Sequence, residues 1–156
     1  MTGKAELMAT RYEPKDLEAI TAQLEHENPR VVIIVGGSLI EYALEELIKS
    51  RLREPVTSDD RAKLLSETGI VGSFEQKILF AYFMNLIGPT ARKDFDLLRR
   101  MRNEVAHNIN PVSFDLPTIA DRCRELVFAK QSIPGQQMPP IFSKNLEYRF
   151  ISMLVF

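Results

Sequence analysis

The chain is poor in the residues that most often announce a function. It has one cysteine, Cys123, no tryptophan, and two histidines in 156 residues. A lone cysteine excludes an intramolecular disulfide framework and a thiolate zinc cluster. A net charge of -1 leaves no global basic field to draw the whole molecule to nucleic acid, so any basic surface must be a local patch. No apolar run approaches the roughly 20 residues that a membrane span needs. Met1-Thr2-Gly3-Lys4 leads into polar sequence rather than an apolar stretch, so no secretory signal is expected. These absences point to the cytoplasm and away from a membrane.

Glycine is also scarce where a nucleotide site would need it. Val31-Val32-Ile33-Ile34-Val35-Gly36-Gly37 reads locally like a buried strand entering a glycine turn. Only two adjacent glycines are present, however, and neither G-x-G-x-x-G nor G-x-x-x-x-G-K follows. No second strand–helix unit appears downstream, as a doubly wound sheet requires. The apolar positions instead continue at helical spacing through Leu39, Ile40, Ala43, Leu44, Leu47 and Ile48. The pattern predicts one long helix over about 29–53, with Gly36 and Gly37 admitting a close neighbour despite their helix cost of about 1 kcal/mol each.

What is present fits a single all-α domain over residues 1–156. Hydrophobic residues make up 45% and charged residues 26%, both ordinary for globular chains. Residues 1–12 lack periodicity and are expected to fray. Pro14 to Glu27 reads as a short amphipathic helix, broken by Asn28-Pro29. Ser58-Asp59-Asp60 is expected to cap a short helix running through Leu65. Ser73-Phe74-Glu75-Gln76 is a capping box that opens an apolar helix, which Gly88-Pro89 stops. Thr90 starts a further helix, closed by Asn108 to Pro111, and Asp115 caps another with Ile119, Cys123 and Leu126 inward. Pro134, Gly135, Pro139 and Pro140 predict a loop over 131–144, and 145–156 is apolar enough to dock as a last helix. The expected architecture is a bundle of about six or seven helices.

The chemistry-bearing residues gather on the helix from Thr90. Its core side is expected to carry Phe95, Leu98, Met101, Val105 and Ile109. Arg92, Arg99, Arg102, Asn103 and His107 fall beside it in one arc of roughly 140°, with Asp96 inside the arc. A guanidinium can hold a phosphate in bidentate fashion, and an imidazole can move a proton near neutral pH. His107 could accept the 2'-hydroxyl proton of RNA while Arg102 stabilises the charged phosphorane and Asn103 orients the histidine or the phosphate. Arg92 and Arg99 would be the binding residues of such a face. The alternative is structural: Arg102 pairs with Glu41 or Glu45 of the long helix, and His107 sits where a helix C-terminus favours a cation. His26, between Glu25 and Glu27, reads as a solvated helix end rather than a metal ligand. No Ser/His/Asp order, H-E-x-x-H or EF-hand loop is present, so neither a metal nor a cofactor is expected.

Three stretches together resemble the mannitol operon repressor family of bacteria. They are Glu41-Tyr42-Ala43-Leu44-Glu45-Glu46-Leu47-Ile48-Lys49-Ser50-Arg51-Leu52, Ser73-Phe74-Glu75-Gln76-Lys77-Ile78-Leu79-Phe80-Ala81-Tyr82, and Arg102-Asn103-Glu104-Val105-Ala106-His107 followed by Ser113-Phe114-Asp115. That family is similar to the wider HEPN group of helical domains, in which R-x-x-x-x-H with a polar residue after the arginine marks metal-independent ribonucleases. Here that motif falls on Arg102, Asn103 and His107. The resemblance implies a transcription regulator of sugar-alcohol uptake that self-associates and acts through a protein partner. No helix-turn-helix or basic recognition helix is visible, so specific DNA binding by the chain alone is not expected. The alternative that the same resemblance carries is a metal-independent endoribonuclease acting on RNA through Arg102 and His107.

Overall fold

The computed structural model describes residues 19–20, 22–24 and 27–127, and these contain helices and no strand. Five helices follow helical residues 19–20 and 22–24: α1 (Pro29–Lys49), α2 (Ser58–Leu65), α3 (Phe74–Phe83), α4 (Pro89–His107) and α5 (Pro117–Glu125). The expectations for residues 1–12, for the loop at 131–144 and for a docking helix at 145–156 lie outside the described residues, as does His26.

Each helix begins and ends for a local reason. Asn28 caps α1 by accepting from the Arg30 amide at 2.9 Å, and Pro29 supplies the fixed φ that suits a first helical position. The apolar run 31–35 is helical, as the spacing beyond the glycines requires. The helix ends at Lys49, four residues before the expected Arg53: the Ser50 amide still reaches Glu46 O, but the Arg51 and Leu52 amides donate three residues back, to Ile48 O at 3.0 Å and Lys49 O at 3.3 Å. Thr57, not Ser58, caps α2 by accepting from the Asp60 amide. Ser73 and Gln76 form the capping box of α3 reciprocally, at 3.2 and 3.0 Å.

The end of α3 differs from the sequence expectation. The stop is Asn85 rather than Gly88-Pro89. Asn85 adopts φ 58, its amide reaches Tyr82 O at 3.0 Å, and the Leu86 amide reaches Ala81 O at 2.8 Å. That is a Schellman closure, with asparagine in the left-handed position usually taken by glycine. Helix α4 then opens on Pro89 with no side-chain cap, and α5 opens on Leu116 and Pro117. Asp115 instead accepts from the Ser113 hydroxyl in the turn before α5.

Helix α1 packs chiefly on α4 and α3, and α4 also on α3 and α5. One hydrophobic cluster runs through the described helices, from Leu24 through Val32, Ile33, Leu44 and Ile48 to Leu98, Met101, Val105, Ile119, Cys123 and Leu126. The core face of α4 is Asp94, Leu97, Leu98, Met101 and Val105, with Phe95 partly buried against it. Ile109 is 96% exposed, against expectation. The helix stops at His107 and Asn108 is extended (φ -96, ψ 122), so helical phase no longer applies two residues later.

Candidate functional site

Arg102 is anchored along its whole length. A Cβ at Gly37 would lie 2.9 Å from Arg102 Cδ and 3.2 Å from its Cβ, so the bare backbone of α1 is the bed for the arginine stem. Glu41, one turn further along α1, accepts from the Arg102 guanidinium. The same guanidinium lies 4.9 Å from the Phe74 ring centroid, close enough for a cation–π contact.

Glu41 is shared. Lys77 of α3, only 5% exposed, reaches Glu41 at 3.1 Å and Glu45 at 3.0 Å. Lys49 binds Glu45 from the other side at 2.8 Å. Burial pushes the Glu45 carboxyl up, but the hydrogen bonds and charges of Lys49 and Lys77 outweigh it and hold the carboxyl below its usual range. Burial likewise works against the Lys49 charge, and Glu45 and Glu46 more than restore it, leaving Lys49 raised. The acidic face of α1 is therefore the meeting point of α3 and α4.

The remaining motif residues are held apart from this cluster. Asn103 and His107 are exposed, and neither side chain hydrogen-bonds a described residue. The helix stays regular through His107, so five residues place the imidazole about 140° round the axis from Arg102. Glu104, between them, faces α5. It accepts from Thr118 at 2.8 Å and pairs with Arg122. The Thr118 hydrogen bond, aided by Arg122 and opposed by burial, lowers the Glu104 carboxyl. The structure thus brings Arg102 together with Glu41, and brings it together with neither Asn103 nor His107.

Two structural residues were not singled out from the sequence. Arg30, on the first turn of α1, donates to the carbonyls of Val105, Asn108 and Asn110, the last two at 2.6 and 2.7 Å. It closes the end of α4, supplying a positive charge where the helix dipole favours one. Asp94 is fully buried on α4, and both its carboxylate oxygens accept from the Val127 amide, at 3.0 and 2.9 Å. The Asp94 signal was readable, since its spacing to Leu98, Met101 and Val105 puts it on the core face. Nothing in the sequence around Arg30 pointed to a carbonyl cluster some eighty residues away.

Arg92 and Arg99 lie in a separate cleft between α3 and α4, about 420 Å³ in volume, with Tyr82, Lys93, Asp96 and Arg100 also on its walls. Arg92 stacks on Tyr82, 4.5 Å from the ring centroid. Arg99 is held by Asp96 at 2.7 Å and by Glu75 at 3.5 Å, and Asp96 also binds Arg100 at 2.8 Å. Among the described residues no group of three or more His, Cys, Asp or Glu side chains is placed to hold a metal ion, and no helix is long and apolar enough to cross a membrane.

Comparison with protein-family models gives no match, and comparison with curated proteins gives none. Among solved structures the chain is similar to one in the X-ray structure of the MtlR-HPr complex from Escherichia coli. The TM-score is 0.70 with 19% sequence identity, over 89% of this chain and 93% of that one. At that identity the likeness is one of fold, and it agrees with the all-helical bundle expected from the sequence.

Proposed function

We propose that this chain is a regulatory protein of the mannitol operon repressor type, working by contact with a partner protein rather than by reading DNA. The likeness over nearly the whole chain to a protein solved in complex with HPr carries this reading. The surface supports it. Phe83 is 74% and Met84 54% exposed, side by side at the end of α3. An aromatic ring and a thioether exposed together suit a protein contact, because both bury large apolar area and the thioether adapts its shape. In this reading the chain self-associates in the cytoplasm, and Arg102, Glu41 and Lys77 hold the scaffold.

The test is calorimetric titration of the purified chain with HPr from its own host. Saturable binding is expected, weakened at least tenfold by Phe83→Asp with the melting temperature kept. No binding at about 0.5 mM of each protein, a concentration that reveals even weak complexes, would sink the reading. Light scattering should give a mass above one chain. A gel shift with operator DNA at physiological salt should show no sequence-dependent complex.

The endoribonuclease reading has one observation in its favour, the exposed imidazole of His107. Against it stands the Arg102 guanidinium, which Glu41 already neutralises. Cleavage of unstructured RNA that persists in EDTA, and that His107→Ala abolishes without changing the melt, would establish the enzyme and displace the regulator.

A further inference from the structure

We propose that the α3–α4 cleft is a binding site for a small phosphate monoester. The inference starts from charge. The cleft is lined by four cations, Arg92, Lys93, Arg99 and Arg100, and by two carboxylates, Glu75 and Asp96. The excess of two positive charges stands out in a chain whose net charge is -1. The two carboxylates are taken up by Arg99 and Arg100. Arg92 makes no ion pair among the described residues, and Lys93 has only a loose contact, 3.8 Å from Glu125 with both side chains more than half exposed. The available charge therefore sits on Arg92 and Lys93, neighbours on the first turn and a half of α4.

Arg92 is also oriented. Its guanidinium carbon lies over the Tyr82 ring, and that cation–π contact restrains the side chain, so its fork can meet two oxygens of one anion with less loss of side-chain freedom than a solvated arginine would suffer. Pro89 of the first α4 turn lies on the same wall, and no side chain caps that turn. Its free amides therefore add to the positive potential there. Ile78 and Leu79 of α3 give the cleft an apolar side for a carbon skeleton. A volume of about 420 Å³ lies within the range of small-molecule sites, roughly 300–1,000 Å³. A phosphate monoester, close to a dianion at neutral pH, matches two available cations. A carboxylate matches one.

The site is separate from the Arg102 cluster and does not depend on the partner reading. Its test uses the full chain at physiological salt and three probes that share a skeleton: glycerol 3-phosphate, glycerate and glycerol. Calorimetry and amide-shift mapping should show saturable binding of glycerol 3-phosphate, with the shifts centred on residues 75–82 and 89–100. Glycerate should bind at least about tenfold more weakly, and glycerol not at all. Arg92→Ala should weaken glycerol 3-phosphate about tenfold or more, Lys93→Ala by a smaller factor, and the exposed Arg124→Ala on α5 not at all. If Arg92→Ala fails to fold, Arg92→Gln and Lys93→Ala carry the same comparison. The proposal is overturned by an absence of saturation below about 10 mM, by equal binding of glycerate, by binding that survives loss of Arg92, or by shifts that map elsewhere.

Discussion

Arg102 shows how much one side chain can hold, and also what its loss should cost. Arg102→Ala removes the Glu41 pair and the Phe74 contact, but Glu41 keeps Lys77 at 3.1 Å and is not stranded. The expected loss is about 1–2 kcal/mol in urea unfolding, below the cost of a fully abandoned buried carboxylate. Exposed His107→Ala should stay within about 0.5 kcal/mol. The carboxyls of Glu45 and Glu104 sit below their ordinary value of 4.5 in the folded chain, so their stabilisation is present above that value and is lost as pH falls through the folded ones. Lys49 is raised above 10.5, so its share is present below that and disappears only as pH rises through the folded value. Urea midpoints should therefore be flat through neutral pH and fall on the acid side, and Glu104→Gln should flatten part of that fall.

At the level of the helix, α4 is closed by a group from another element. Arg30→Ala leaves the carbonyls at the end of α4 without their cation and should cost about 1–3 kcal/mol, with faster amide exchange confined to the last turn of α4 and the chain after it. Arg30→Lys should recover only part of this, since one ammonium cannot span three carbonyls as a guanidinium does. The capping box at Ser73 and the helical path of 31–35 were legible because both are local patterns of spacing. The early end of α1 was not, because its backbone closure needs no distinctive side chain, whereas the turn at Asn85 carried a weak signal, an asparagine that tolerates the left-handed position, beside the stronger stop pattern of Gly88-Pro89 three residues on. Ile109 was misread because its periodicity was continued past the point where Asn108 turns extended.

For the molecule as a whole, α1 is the element that cannot be altered lightly. Leu44 is 2% exposed in the main core cluster, and Leu44→Asp should abolish the cooperative thermal transition, since an unpaired buried carboxylate costs several kcal/mol. The helical class and the core faces could be read in advance because apolar spacing encodes them. The pairing of Arg102 with Glu41 was legible only as one of two alternatives, because a helical wheel gives faces and not neighbours. The separation of His107 from Arg102 followed from helix geometry once the helix was found regular to its last residue.

The charged cluster under α3 and α4 has a consequence beyond its energy. Hydrophobic side chains tolerate a sliding neighbour, because one leucine fits much like another. Lys77 does not, since moving α3 by one turn, about 5.4 Å, would carry its ammonium away from both Glu41 and Glu45 and leave a nearly buried charge alone. The cluster therefore acts as a key that admits one alignment of three helices and penalises the others. Replacing Lys77, Glu41 and Arg102 together with methionine and leucine should leave the melting temperature similar or higher while broadening the amide resonances of α3, the signature of a bundle that has kept its cohesion and lost its single alignment.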